Sequence, residues 1–230
     1  MWQDLGLFLV GILLAIALLV VLGNAVYFLH GKVDERVLTV ALLPVQGAAW
    51  IVVVALILRW RGQRAASIGW VRGRLLVDVP IGLLAALSAF LAFLLSALII
   101  KLVWPAGFAQ LTGNPEAIAR MLPRLHPAVL VSLLIVAGVY EEVVFRGFLL
   151  TRFRRVLRSW WAAVPVTSLL FALPHMGDQE PVVVIPLFAV GVALSVFTIW
   201  RKSLLPAIIG HGLFNSCQIL ALYFYYSGWK

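Results

Sequence analysis

Apolar residues fall in seven long runs along the chain, roughly 5–29, 37–58, 75–103, 128–150, 160–175, 182–200 and 204–226, with short polar stretches between them. The runs are continuous. Strands of a membrane barrel would instead alternate between lipid-facing and lumen-facing residues. Inside a bilayer each backbone N–H and C=O needs a partner within the protein, and a helix supplies one from its own segment. About 20 apolar residues rising 1.5 Å each cross a hydrocarbon core of about 30 Å. Most of the runs reach that length. The fifth is short and ends in Leu173-Pro174-His175. The pattern predicts an all-α, polytopic membrane helix bundle with seven or eight transmembrane helices, built as one integral membrane domain over 1–230.

Composition narrows this further. Of 230 residues, 63% are apolar and 12% charged, and the mean hydropathy is +1.06. Soluble domains carry about 25% charged residues. A soluble fold of this composition could not cover itself with polar surface, and a disordered chain would need far more charge. The length leaves no room for a separate soluble catalytic module. Met1 to Asp4 carries no positive side chain, so the first run reads as a retained helix rather than a signal peptide.

The formal charge is 18 − 9 = +9. Arg59, Arg61, Arg64, Arg72 and Arg74 follow the second run, Arg152, Arg154, Arg155 and Arg158 the fourth, and Arg201 and Lys202 the sixth. These stretches alternate as loops on one side of a membrane must. The positive-inside rule then predicts a cytoplasmic N-terminus and an outside C-terminus. The membrane is expected to be that of a bacterial or archaeal cell. The lipid bilayer accounts for the basic balance, and no nucleic-acid partner is expected. Trp60, Trp70, Trp104, Trp160, Trp161, Trp200 and Trp229 fall near the ends of runs, as an aromatic belt would. Asn114-Pro115-Glu116, followed by Ile118, Met121, Leu122 and Leu125, reads either as a short interfacial helix or as an ordered loop.

Ionisable residues in membrane segments are costly and mark functional sites. Asp78 sits near the start of its run and suits the interface. The others are more informative. Glu141 and Glu142 are adjacent, so on a helix they point about 100° apart and divide their roles. Glu142 and Arg146 are four apart on one face, in the favourable order for an ion pair. Glu141 then has no sequence-local partner and is free to bind water. His211 and Asn215 share a face of the last helix, with Gly210 and Gly212 allowing close helix approach. Phe171 and His175 repeat the same spacing, and Pro174 frees a backbone carbonyl. Counted from the basic ends of their helices, Glu141, His175, His211 and Asn215 overlap in depth.

A carboxylate, two imidazoles and an amide at one buried level can activate water and stabilise an oxyanion. No Gly-x-Ser-x-Gly or His-Glu-x-x-His motif competes. Cys217, the one cysteine, excludes an internal disulfide and a cysteine-based metal site. Six residues beyond His211, it faces away from the histidine and is expected to be a small buried hydrophobe.

The motifs Glu141-Glu142-x-x-x-Arg146, Phe171-x-x-x-His175 and His211-x-x-x-Asn215 resemble the three signatures of the CAAX protease and bacteriocin-processing family, which includes the Ras-converting CAAX endoprotease. They lie in a motif-bearing core of about 128–226. The resemblance implies a helix bundle around a conical intramembrane cavity open toward the cytosol. It also implies glutamate-dependent proteolysis of a peptide or membrane-protein substrate, without a metal or other cofactor. It makes Glu141 the base with His175, and His211 with Asn215 the oxyanion donors. Glu142, Arg146 and Phe171 then have supporting roles. In a bacterium a prenylated substrate is not expected. The residues also admit a non-enzymatic immunity or scaffold protein that keeps the motifs for binding. Two further alternatives are a zinc protease with the metal on Glu141, His175 and His211, and a proton-coupled transporter, against which the lack of an inverted repeat argues.

Overall fold

The computed structural model of the chain describes residues 2–30, 35–71, 75–112, 125–176 and 180–225, and these are helical with no strand among them. In chain order the helices are α1 (Trp2–His30), α2 (Glu35–Trp60), α3 (Leu75–Val103), α4 (Pro105–Thr112), α5 (Pro127–Leu157), α6 (Trp160–Ala172), α7 (Val184–Arg201) and α8 (Leu205–Tyr225). Short 3₁₀ turns at Ala65–Ile68, Leu173–Met176 and Pro181–Val183 join them. Six stretches are long and apolar enough to cross a membrane; they lie in α1, α2, α3, α5, α8 and Pro181–Arg201. The protein is a polytopic helical membrane protein. The short Asn114 helix and Trp229 lie outside the described residues.

One expectation about element length holds and one is corrected. The fifth run forms an α-helix of 13 residues, too short to span by itself, because Pro174 stops it and the chain tightens into a 3₁₀ turn. The fourth run continues past residue 150, so Arg152, Arg154 and Arg155 lie in the last turns of α5 rather than in a loop. Cations are favoured at a helix C-terminus by the backbone dipole. Arg158 then ends the helix in the left-handed conformation, at φ 54°.

Ion pairs gather the basic helix ends. Asp4 in α1 accepts from Arg61 Nε at 2.7 Å and pairs with Arg152 Nε of α5 at 3.0 Å. Gln63 accepts from Arg152 Nη2 at 2.6 Å. Asp78, at the start of α3, accepts from Arg201 Nε and Nη2 at 3.1 and 3.0 Å and from Ser203 Oγ at 2.8 Å. Asp78 is therefore fully buried and clasped, not loosely interfacial. The Leu204 N–H donates to Gly69 O, tying the α2–α3 loop to the start of α8. One end of the bundle thus holds the N-termini of α1, α3 and α8 and the C-termini of α2, α5 and α7.

Lipid offers no hydrophobic drive for one helix to leave it for another, so association here depends on close packing. Ala85, Ala89, Val190, Leu194, Ala207 and Phe214 interlock α3, α7 and α8. Nearer the basic end, Ile57, Leu58, Ile68, Phe145, Phe148 and Leu204 form a second core. α1 packs against this core through Leu5 and Phe8, the latter 5.1 Å from the Phe148 ring, but 6% of its spanning window is buried and the rest presents apolar surface suited to lipid.

Candidate active site

Within α5 the backbone changes register where the first motif lies. Residues Pro127–Glu142 are α-helical, Val143–Leu149 form a π-helical segment, and the α-helix resumes at Leu150–Leu157. π turns pair residue i with i+5 and recur at functional sites. All residues from Glu142 to Leu150 are buried. Arg146 Nη1 donates to Glu142 Oε1 at 2.6 Å, and the two side chains are 1% and 0% exposed.

α8 brings the third motif to this pair through its glycines. A Cβ on Gly210 would stand 2.8 Å from Ala85 Cβ and 3.0 Å from the Ala85 and Ala86 backbone, so only glycine lets α8 lie against α3 there. On the other side, Gly138 of α5 faces the Gly212 backbone and the His211 ring. His211 is thereby held between two helices at 3% exposure.

The imidazole of His211 meets both carboxylates. Its Nδ1 lies 2.8 Å from Glu142 Oε1, and its Nε2 lies 3.7 Å from Glu141 Oε2. A carboxylate only accepts, so Nδ1–H is the donor to Glu142. The 3.7 Å gap is too long for a hydrogen bond. Glu142 thus serves Arg146 and His211 together, a contact that spacing along α5 alone could not reveal. Glu141 is the more open carboxylate, at 16% side-chain exposure.

Phe171 of α6 packs among these groups. Arg146 Cζ lies 4.2 Å from its ring centre, and His211 and His175 rings approach at 5.5 and 5.4 Å. The Phe171 carbonyl has a further use. Beyond Ala172 the chain follows a 3₁₀ turn, in which i pairs with i+3. For Phe171 that position is Pro174, which has no N–H. His175 Nδ1 fills the vacancy, 3.1 Å from Phe171 O. With Nδ1–H donated to a carbonyl, Nε2 is the nitrogen with a free lone pair.

His175, His211 and Asn215 line one cavity of about 330 Å³ together with Phe93, Phe214 and Gln218. Gln218 was not anticipated. It follows Asn215 at helical spacing, which is the signal that could have found it. The cavity extends from His211 toward the C-terminal half of α8, away from the basic end. At the basic end Ile68, Phe148, Leu149 and Leu204 pack tightly.

Two serines of α7 and α8 are committed to their own helices, whereas the buried Ser168 Oγ of α6 makes no hydrogen bond among the described residues. Ser195 and Ser216 donate to the carbonyls of Gly191 and Gly212 within their own helices. Cys217 is exposed, not buried, because it lies on the outward face of α8. Among the described residues, no three His, Cys, Asp or Glu side chains form a group that could hold a metal.

Residues 123–217 match the family model described as type II CAAX prenyl endopeptidase Rce1-like. The Rce1-like stretch carries all three motifs and supports the resemblance read from them. It covers less than half of the chain. The chain is also similar to an uncharacterized 24.3 kDa protein of Escherichia coli, 36% identical over 83 residues. That alignment takes in 36% of this chain and 38% of the relative. No solved structure matches.

Proposed function

We propose that the protein is an intramembrane endopeptidase of the Rce1-like kind, hydrolysing a peptide bond with water activated by Glu141 and His175. The observation that carries the reading is the convergence of α5 and α6 on one imidazole of α8: His211 Nδ1 bonds Glu142, its Nε2 lies 3.7 Å from Glu141, and its ring packs against Phe171.

In this reading Glu141 takes a proton from water, and the oxygen adds to the scissile carbonyl carbon. Asn215 and His211 Nε2 face the developing oxyanion. To donate from Nε2 while Nδ1 donates to Glu142, His211 must carry both protons, and the flanking carboxylates supply the countercharge. As the intermediate collapses the C–N bond breaks, and the proton held by Glu141 passes to the amine, directly or through His175. Arg146 and Glu142 hold His211 in place. The substrate is a peptide or a segment of a membrane protein. On the positive-inside rule this reading puts the N-terminus on the cytoplasmic side and the C-terminus outside.

A cleavage assay on purified protein with a panel of quenched peptides tests the reading. Wild type should cleave some members, and Glu141→Ala should cleave none. Absence of cleavage by wild type, together with peptide binding that depends on Asn215, would instead favour a binding protein.

A further inference from the structure

Polar side chains in the spanning helices mostly turn back on their own backbone. Asn24 Nδ2 donates to Val20 O at 2.7 Å and Ser132 Oγ to Ala128 O at 2.7 Å. Ser195 Oγ donates to Gly191 O at 2.7 Å and Ser216 Oγ to Gly212 O at 2.6 Å. In each case the carbonyl four residues earlier accepts, so the polar group is satisfied without leaving its helix.

Gln218 departs from this pattern. Its Nε2 stands 3.5 Å from Phe214 O, longer than the usual N–H···O distance of about 2.9–3.0 Å. A primary amide carries two N–H donors and a carbonyl with two lone pairs. Among the described residues this one long contact is all that engages them.

The position of Gln218 accounts for the difference. It lies seven residues past His211 and three past Asn215, on one face of α8, and lines the cavity with both and with His175. The walls between these polar groups are apolar: Phe93, Leu111, Val183, Leu187 and Phe214. An apolar cavity with a few convergent polar groups orients a ligand through those groups. His175, His211 and Asn215 already have parts in the proposed reaction, and the Gln218 amide is left over.

The amide's chemistry selects its ligand. Donor and acceptor on one planar group match the N–H and C=O of a peptide backbone. Gln218 is about 4.5 Å beyond Asn215 along the helix axis, and each residue of an extended chain advances about 3.3 Å. With a scissile carbonyl at Asn215, Gln218 reaches a peptide unit one or two residues along.

We propose that Gln218 is a substrate-binding residue that holds the backbone of a peptide unit flanking the scissile bond. The scissile bond's place rests on the endopeptidase reading; the capture of backbone does not. Because the hold ignores side chains, it sets which bond stands before Glu141 without selecting a sequence.

The test uses the full chain in detergent micelles with decapeptides of apolar sequence, quenched for turnover and fluorescein-labelled for binding. Gln218→Met keeps the side chain's length and removes its polar atoms. KM should rise about tenfold, as the loss of two hydrogen bonds implies, with kcat nearly unchanged, the reverse of the pattern for an oxyanion donor. Gln218→Asn, one methylene shorter, should raise KM likewise. A backbone scan locates the contact: replacing one peptide N–H at a time by an ester oxygen should weaken binding at one flanking position in wild type and have no effect there in Gln218→Met. An unchanged KM, or an ester scan identical in the two proteins, overturns the proposal. Dissociation constants from fluorescence anisotropy separate it from the protease reading. If wild type cleaves nothing while affinity falls in Gln218→Met and the ester effect persists, the protease fails and the backbone contact stands. Peptides that are neither cleaved nor bound overturn both.

Discussion

Glu142 Oε1 is a shared acceptor: it lies 2.8 Å from His211 Nδ1 and 2.6 Å from Arg146 Nη1. A single oxygen thus links the first motif to the third. Removing its charge strands a buried guanidinium, and breaking such a pair typically costs about 3–5 kcal/mol. Glu142→Gln should lower the melting temperature markedly and abolish turnover. A variant that melts like wild type would show that the pair does not hold the site.

Glu141→Gln should behave differently. Its carboxylate is partly exposed and makes no hydrogen bond to His211, so little folding energy depends on it. Turnover should vanish while thermal unfolding changes little. Measuring both on one preparation is decisive, and near-normal turnover would remove Glu141 as the base.

Asn215→Ala tests the oxyanion assignment. Losing one donor typically costs about 2.7–4 kcal/mol, or roughly 10²–10³ in kcat. KM should move much less, because a group acting only in the transition state does not bind the ground state. A rise in KM at constant kcat would make Asn215 a substrate-binding group instead.

The two glycines beside His211 should differ in tolerance. Gly210→Ala drives a methyl group into the Ala85 and Ala86 backbone, and overpacking of this kind costs about 1–3 kcal/mol. A Cβ on Gly212 meets Ile135 at 3.7 Å, an ordinary contact. Gly210→Ala should lose stability and activity, and Gly212→Ala should keep most of both. Equal melting temperatures in the two variants would contradict the packing argument.

Cys217 is exposed on the outward face of α8, so a membrane-soluble maleimide should label it fully. Turnover should survive both labelling and Cys217→Ser. Loss of activity in the serine variant, with folding intact, would restore a thiol mechanism.

Much of this was legible in the sequence because the bilayer restricts the choices. Continuous apolar runs gave the helices, and clustered arginines marked the end at which α2, α5 and α7 finish. The ion pair of Glu142 with Arg146 followed from spacing within one helix. The bond from Glu142 to His211 did not, since it joins residues 69 positions apart across a helix crossing. The fate of Asp78 was hidden for the same reason: Arg201 and Ser203 reach it from the far end of the chain. Cys217 was misplaced because the angle from His211 tells what it faces away from, not what lies behind it.

The π segment of α5 has a consequence for any alignment or design of this protein. A π turn holds one residue more than the α turn it replaces, so the two halves of α5 are out of phase on a helical wheel. Wheels drawn continuously from Pro127 to Leu157 will assign wrong faces to everything beyond Leu149. Relaxing this stretch to uniform α geometry at full length would swing the Glu141–Glu142 end by about 100° relative to the clasped Arg152, whereas deleting the extra residue would leave the two ends in phase. The backbone form of this stretch thus matters as much as side-chain identity, because the π turn sets the face that Glu141 and Glu142 present while Arg152 stays clasped.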